Sequence, residues 1–254
     1  MSSENPALTW LAAGQEFPGP DHAWGKNSLA PGLLAAGGAL DALSLCRAYS
    51  QTIFPWFSAG QPILWWSPDP RMVLKVADFE LHRSLRKTLQ RFRASASCEI
   101  RIDHSFEQVI RACAASERRG QAGTWIGPSM IAAYVDLHRA GFAHSVETWI
   151  DGELAGGLYC VALGQALFGE SMFSQVSQGS KIALAALVGF CRHHGIEQID
   201  CQQNTEHLAA LGAREVGRAQ FQRDVAAAVN KAAPCWQFDP LYWAELLPPT
   251  LPPT

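Results

Sequence analysis

The sequence lacks the patterns that mark disulfide frameworks, metal centres and membrane spans. Its seven cysteines form no C-x-x-C pair, and we expect them to be reduced, with those in apolar runs buried. The eight histidines show no ligand spacing, which argues against a metal site. No apolar run reaches about 18 residues, and the first ten residues carry no signal pattern. These absences predict a soluble, cytoplasmic protein without a metal or a membrane partner. The cysteines in apolar runs are Cys46, Cys113, Cys160 and Cys191.

Charged residues are sparse as well, at 17% of the 254 residues, whereas 48% are hydrophobic. This balance predicts a folded chain with a substantial core and excludes an intrinsically disordered one. The net charge of −3 leaves nucleic-acid binding open, because local clustering of charge matters more than its sum. The length fits one large domain, or a small domain followed by a medium-sized one.

The stretch from 166 to 204 carries the clearest functional signal. Residues 166–173 and 196–199 are typical of strands, and residues 180–194 between them predict a buried helix. A strand, crossover helix and strand imply parallel neighbours, and such sheets place their chemistry where the strands end. We therefore expect Glu170, Asp200 and Gln202 to share one cleft. The alternative is that Asp200 caps the turn before His207 and that Glu170 is paired in the core.

The other elements follow from hydrophobic spacing and turn residues. We expect a loop at 31–38, a helix at 40–49 and an irregular aromatic stretch from 53 to 66 that plugs a domain junction or forms the walls of a binding site. The tail from 236 to 254 is Pro-rich and is expected to pack through Trp243 and Leu246. The further expected elements are strands at 72–76, 98–102, 144–150 and 154–163, and helices at 82–92, 105–115 (capped by Asp103 or Ser105), 128–139, 206–211 and 220–232.

One predicted helix carries charge of a single sign. Between His82 and Cys98 no acidic residue occurs, and the polar faces of the helix hold four basic side chains. Such a run is either a solvated face or a surface for an anionic partner such as RNA. The four residues are Arg83, Arg86, Lys87 and Arg91.

The order of strand, two helices, three-stranded meander, helix and strand resembles the acetyltransferase-like (GNAT) fold. Members of that superfamily carry a Gly-rich turn before the crossover helix, where backbone N–H groups bind the pyrophosphate of acetyl-CoA. Here the corresponding loop, 174–181, has one glycine. The resemblance thus implies a mixed α/β (α+β) fold with a small N-terminal domain (1–70), a GNAT-like catalytic domain (71–235) and a C-terminal tail (236–254).

A series of motifs is similar to the leucyl/phenylalanyl-tRNA–protein transferase family. Spacing is kept from about residue 32 to 218, which makes the combined signal strong. The resemblance implies transfer of Leu, Phe or Met from aminoacyl-tRNA to the N-terminal Arg or Lys of proteins, which marks them for N-degron-dependent proteolysis, without CoA, metal or other cofactor. The motifs are IFPWFS (53–58), ILWWSPDPR (63–71), GTWI (123–126), HS-x-E (144–147), GESMFS (169–174), SK (180–181), DCQ (200–202), His207 and LGA (211–213).

The resemblance also implies roles for individual residues. Asp200 and Gln202 occupy the DCQ positions and are the expected catalytic pair. In one interpretation Asp200 polarises the Gln202 amide, which takes the amine proton. In the preferred one Gln202 orients the α-amine, while Asp200 and Glu170 bind the cationic end of the acceptor. The expected walls of the aminoacyl pocket are Trp56, Leu158, Phe168, Met172 and Leu184, and the expected tRNA-binding residues are those of the basic helix.

The chain departs from the family pattern at three positions. Family members usually carry an acidic residue where this chain has Ala39, glycine where it has Thr52, and an apolar residue where it has Gln203. Two alternatives to the transferase remain open at this point. One is a CoA-dependent N-acyltransferase on the same fold, and the other is a non-catalytic tRNA-binding module. Because the sequence contains no coiled coil or exposed apolar helix, we expect a monomer.

Overall fold

Two β-sheets organise the described part of the chain, one on each side of residue 70. The computed structural model describes residues 7–116 and 124–247, so Gly123 of the GTWI motif and the Pro-rich end of the tail lie outside the described residues. The first sheet has the strand order β1-β2-β4-β3 and is accompanied by helix α1. Its elements are β1 (Thr9–Leu11), β2 (Leu33–Gly37), α1 (Ala42–Ser50), β3 (Phe54–Pro55) and β4 (Leu64–Trp66).

The second sheet has seven strands in the order β11-β5-β10-β9-β8-β7-β6. Strands β6 to β9 form an antiparallel meander, whereas β9 and β10 run parallel, as a crossover through a helix requires. The strands are β5 (Arg71–Lys75), β6 (Cys98–Ile102), β7 (Ala143–Ile150), β8 (Glu153–Leu163), β9 (Ala166–Ser174), β10 (Gln198–Gln202) and β11 (Arg214–Val216). The helices are α2 (Arg83–Ala94), α3 (Phe106–Ala115), α4 (Pro128–Arg139), α5 (Gly179–His194), α6 (Glu206–Ala210) and α7 (Arg218–Ala228).

Helices cover both faces of the second sheet. Alternate residues of β8 show this, because Val161 joins a core with α1, α3, α4 and α7, whereas Cys160 joins a core with α2 and α5. Helix α5 is buried on nearly all sides, as its composition predicts. The first of these cores also contains Trp65 of the first sheet, so the two sheets share one hydrophobic cluster.

The structure confirms the mixed α/β fold and the element order on which the GNAT resemblance rests, and it corrects some local expectations. The expected loop at 31–38 contains β2, and the aromatic stretch contains β3 and β4. Strands β1 and β11 were not expected. Helix α3 begins after Ser105, which makes no side-chain cap, and Asp103 instead accepts hydrogen bonds from the backbone of Ser145 and from His144.

The cysteines and the tail behave largely as expected. All seven cysteines are free; Cys113, Cys160 and Cys191 are buried, whereas Cys46 is half-buried. Trp243 packs in the core beside α2 and α5, together with Leu246 and Leu247.

The HS-x-E motif has a structural role. Glu147 is fully buried and accepts hydrogen bonds from the backbone N–H of Ser105, the hydroxyl of Ser145 and the indole N–H of Trp149. Three donors on one buried carboxylate compensate for its removal from water. The motif therefore fixes the start of α3 against β7.

Candidate active site

The candidate site lies where β9 and β10 separate. These parallel strands pair only at Ile199 with Leu167 and at Asp200 with Phe168, although β9 continues to Ser174. Beyond the last pair, the sheet opens into a cavity of about 420 Å³ that is lined from both faces. The position agrees with the rule that open sheets bind ligands beyond the carboxyl ends of their parallel strands.

One part of this cavity is apolar. Four of the five expected wall residues line it, namely Trp56, Leu158, Met172 and Leu184. Other apolar walls are Phe54, Leu74, Trp125, Leu187, Ile199 and Leu208, some of which come from the first sheet and some from α5 and α6.

Phe168 does not line the cavity. It is fully buried on the opposite face of the sheet, where its ring packs against that of Tyr49 at 5.0 Å. The reason is a β-bulge, because Tyr159 pairs with Ser171 whereas Cys160 pairs with Gly169, which leaves Glu170 without an opposite residue. A bulge reverses the alternation of side chains along a strand. Phe168 and Met172 therefore face opposite sides of the sheet.

The carboxylate of Asp200 is fully buried and ion-paired with Arg71. The Nε and Nη2 atoms of Arg71 donate to Oδ1 at 2.8 Å and to Oδ2 at 2.7 Å, and both side chains are 1% exposed. The guanidinium also lies over the rings of Phe54 and Phe221 and donates to the carbonyl oxygen of Thr52. This bidentate geometry is the strongest form of the Arg–carboxylate pair. The negative charge of Asp200 is thus matched within the protein.

Asp200 also fixes the backbone of Gln202. The Gln202 N–H donates to Asp200 Oδ1 at 2.9 Å, and Gln202 has a φ of 57°, a left-handed conformation that few residues other than glycine adopt. A second bulge lies here, since Asp200 pairs with Val73 and Gln202 with Met72. Asp200 therefore contacts the backbone of Gln202, whereas the side-chain Nε2 of Gln202 donates to Glu170 Oε1 at 3.2 Å.

Glu170 is held by two tyrosine hydroxyls. Tyr49 Oη donates to Oε1 at 2.7 Å, Tyr134 Oη donates to Oε2 at 3.2 Å, and the two hydroxyls also contact each other. Burial raises the pKa of Glu170 from 4.5 to about 7, although hydrogen bonds from the tyrosines oppose the shift. Burial also raises the pKa of both tyrosines well above 10, so they remain hydrogen-bond donors. The charge of Glu170 changes near neutral pH.

Two further titratable groups along the cavity are Cys201 and His207. Burial raises the pKa of the Cys201 thiol to about 12, which excludes a thiolate nucleophile at neutral pH. Burial and the charge of Lys181 lower the pKa of His207, which is largely neutral at pH 7 as a result. The turn before His207 is capped by Thr205, not by Asp200.

The structure therefore brings Glu170, Asp200 and Gln202 together, as expected, and adds three partners. Tyr49, Tyr134 and Arg71 were not expected at the site. Arg71 stands in the ILWWSPDPR motif, but its contact with Asp200 spans 129 residues and leaves no local pattern. Tyr49 and Tyr134 occupy apolar helix faces, where a tyrosine resembles any core aromatic residue.

Thr52, one of the departures from the family pattern, lies beside Arg71. Its φ of 64° explains why glycine is usual at this position, because a β-branched residue is strained there. Its hydroxyl is buried and has no hydrogen-bond partner among the described residues. The carbonyl that binds Arg71 comes from the backbone, so the substitution leaves this hydrogen bond in place.

The basic residues of α2 are exposed on the face of the second sheet that α5 covers. Leu85, Leu89 and Phe92 are buried beneath the helix. Within the described part of the chain, none of its basic side chains pairs with an acidic one. The exposed residues are Arg83, Arg86, Lys87, Arg91 and Arg93.

Metal centres and membrane spans are both missing from residues 7–116 and 124–247. No group of three or more His, Cys, Asp or Glu side chains in these ranges could hold a metal ion. No helix there has the length and apolar character needed to cross a membrane.

At the start of α5, the hydroxyl of Ser174 accepts a hydrogen bond from the N–H of Ser180, so this N–H already has a partner.

Comparisons with known proteins agree with the motif series. A family model described as leucyl/phenylalanyl-tRNA protein transferase matches residues 73–226, and a model of the N-terminal domain of the same transferase matches residues 38–69. A solved GCN5-related N-acetyltransferase-like protein from Streptococcus suis aligns with 58% of this chain and 57% of its own, at a TM-score of 0.31 and 16% identity, a likeness too low to support an argument.

Curated relatives match over nearly the whole chain. A leucyl/phenylalanyl-tRNA–protein transferase from Albidiferax ferrireducens is 64% identical over 98% of both chains. A protein of the same description from Polaromonas is 62% identical over 96% of this chain and 97% of its own. These matches confirm the resemblance carried by the motifs: the chain belongs to the leucyl/phenylalanyl-tRNA protein transferase family.

Proposed function

We propose that this protein transfers Leu, Phe or Met from aminoacyl-tRNA to the N-terminal Arg or Lys of acceptor proteins and so marks them for N-degron-dependent proteolysis. The observation that carries the proposal is the composition of one cavity. It has an apolar part suited to a hydrophobic side chain and, beside it, a carboxylate and an amide suited to an amino terminus. Transfer requires the donor amino acid and the acceptor amino terminus to lie side by side in one cavity.

The apolar part is assigned to the donor amino acid. The whole cavity, of about 420 Å³, lies within the range of small-molecule sites. Met172 and the leucines Leu158 and Leu184 form flexible walls, and a thioether chain repacks around side chains of different shape. This adaptability suits Leu, Phe and Met better than a rigid pocket would.

Glu170 and Gln202 are assigned to the acceptor. Glu170 forms no salt bridge in the described part of the chain, so its carboxylate is available to a cationic amino-terminal residue through charge-assisted hydrogen bonds. Asp200 is already paired with Arg71 and contacts Gln202 through the backbone. We therefore assign Asp200 to holding Gln202 in place instead of to direct contact with the acceptor.

Once the donor and the acceptor are positioned in this way, the reaction needs little further assistance from the protein. The donor is an activated ester, and the acceptor amine has a pKa of roughly 7.7–8.0, so part of it is neutral near pH 7.5. Holding amine and ester together in a reactive geometry supplies about 7–11 kcal/mol of the barrier. The reaction as proposed uses no CoA, metal or other cofactor.

We assign the reaction to residues 71–235 and the wall residue Trp56 to the small N-terminal domain of residues 1–70. In this assignment the tail, 236–254, lies outside the catalytic domain. We also propose that the protein acts as a monomer.

A transfer assay tests the proposed function. Purified protein is mixed with tRNA charged with labelled Leu or Phe and with a peptide that begins with Arg, while a peptide beginning with Gly serves as the matched control. We expect label on the Arg peptide alone, with no CoA added. Absence of transfer, or transfer that requires acetyl-CoA, would contradict the proposal and favour one of the two alternatives.

The basic face of α2 is assigned to the phosphates of the tRNA. We expect the double variant Lys87→Gln/Arg91→Gln to bind Leu-tRNA more weakly, and the slope of log K against log salt to become shallower by about 0.7–0.9 for each phosphate that is no longer neutralised. Filter binding at low and at high salt measures both effects. Arg111→Gln is the control, because this exposed residue pairs with Glu107 within its own helix. An unchanged slope in the double variant would remove α2 from the interface.

A further inference from the structure

Three polar contacts join Tyr49, Tyr134 and Glu170 in a triangle, but the two hydroxyls supply only two hydrogens. The three contacts join the two hydroxyl oxygens to each other, Tyr49 Oη to Oε1 and Tyr134 Oη to Oε2. Each tyrosine brings one hydroxyl hydrogen, so two hydrogens serve three contacts when Glu170 is ionised. A protonated carboxyl is itself a donor and supplies the third. The triangle therefore accommodates an added proton without giving up a hydrogen bond.

Glu170 also keeps one acceptor position for a ligand. An ionised carboxylate offers about four lone-pair positions. Tyr49, Tyr134 and Gln202 use three of them. Glu170 lines the cavity and is partly exposed to it. The remaining lone pair of Glu170 lies within reach of an amino group held beside Gln202.

The other candidates along the cavity are less suited to taking a proton. Both oxygens of Asp200 already accept hydrogen bonds from Arg71, and the side chain is fully buried, so it is not presented to a ligand in the cavity. The Gln202 amide is a very weak base. His207 remains as the rival, because it lines the same cavity and is largely neutral.

We propose that Glu170 is the proton acceptor of the transfer reaction, an inference that rests on the proposed function. The neutral α-amino nitrogen attacks the ester carbonyl carbon, the C–N bond forms, and the carbonyl electron pair moves to oxygen. The nitrogen, now positively charged, gives one proton to Glu170. The carbonyl re-forms while the bond from carbon to the ribose oxygen breaks, and that oxygen takes the proton from Glu170. The carboxylate is thereby regenerated, and the reaction needs no further reactant.

The surroundings of Glu170 tune it for this role. The groups that are hydrogen-bonded to Glu170 or act on it through their charge are Tyr49 of α1, Tyr134 of α4, Arg71 of β5, Cys160 of β8, and Asp200 and Gln202 of β10. Burial, opposed by the tyrosine hydrogen bonds, raises its pKa to about 7. A general base works best when its pKa lies near the working pH.

The test compares wild type with Glu170→Gln, Glu170→Asp and His207→Gln, using Leu-tRNA and an Arg peptide from about pH 5.5 to about 8.5. We expect the rate at saturating peptide to fall by about 10²–10⁴-fold in Glu170→Gln, which keeps the shape of the side chain but cannot take the proton. Glu170→Asp is expected to recover part of that loss. Below about pH 6.5, log(kcat/KM) is expected to rise with a slope near two in wild type, from the acceptor amine and Glu170, and near one in Glu170→Gln.

Other results would overturn the inference. If Glu170→Gln keeps the rate at saturating peptide and raises only KM for the peptide, Glu170 binds the acceptor and takes no proton. If His207→Gln, not Glu170→Gln, lowers the slope to one, the proton acceptor is His207. In both cases the proposed function still stands, since only the transfer assay with the wild-type protein can contradict it. Circular dichroism and urea unfolding establish that each variant is folded.

Discussion

Asp200→Ala is expected to lower the free energy of unfolding by about 3–5 kcal/mol and to abolish transfer. The substitution leaves Arg71 charged and unpaired at a position that is 1% exposed. Removing one partner of a buried ion pair has effects of this size, because the remaining charge stays out of water without compensation. The loss is a large fraction of the roughly 5–15 kcal/mol that is typical of whole domains.

Urea unfolding of wild type and Asp200→Ala measures this effect. The double variant Arg71→Met/Asp200→Leu removes both charges, so we expect it to recover most of the stability. It should not recover transfer, because the Gln202 N–H still lacks its acceptor. The matched control is Asp136→Ala, whose pair with Arg139 is exposed and contributes under about 1 kcal/mol. A double variant no more stable than Asp200→Ala would show that the unpaired guanidinium is not the cause.

Glu170→Gln is expected to make the protein more stable above neutral pH. The pKa of Glu170 is about 7 in the folded protein and 4.5 as an ordinary side chain. Between these values the folded state holds a proton that the unfolded state has lost. The contribution to stability is therefore fully present below about pH 4.5 and is lost as the pH rises to about 7. Above pH 7 the ionised carboxylate lowers the stability of wild type by about 3 kcal/mol relative to its neutral form.

Glutamine is neutral at every pH and, like a protonated carboxyl, offers a carbonyl acceptor and a donor. We therefore expect Glu170→Gln to exceed wild type by up to about 3 kcal/mol in unfolding free energy at about pH 8, and to differ little at about pH 4.5. Urea unfolding of both proteins at the two pH values gives the difference. Equal stabilities at the higher pH would mean that the carboxylate is well solvated in the folded protein. A more stable variant that transfers poorly would be a stability–activity trade-off at a buried charge.

The sequence allows the central part of the fold to be predicted because its signals are local. The crossover helix α5 is apolar on nearly all sides, and short strands with polar ends flank it, so the parallel pair and the position of the cleft follow. Strand β2 is not predicted in this way, because Gly37 and Gly38 suggest a loop. In the structure these glycines end the strand, with φ values of 82° and 79°.

The details of the site depend on features that have no local pattern. Regular alternation would place Phe168, Glu170 and Met172 on one face, and only the bulge in β9 separates them. The pairing of Asp200 with Arg71 could not be predicted, because the two residues are 129 positions apart in the chain. Residue identity indicated which groups belong to the site, whereas their charge state and direction depend on tertiary contacts.

The N-terminal part of the chain contributes to the cavity at several points. Tyr49 binds Glu170, the carbonyl of Thr52 binds Arg71, and Trp56 forms one wall. A ligand that fills the cavity would therefore contact groups from both parts of the chain. By thermodynamic linkage, its binding would strengthen the association of these two parts. Bound substrate would thus hold two parts of one polypeptide together in this family member.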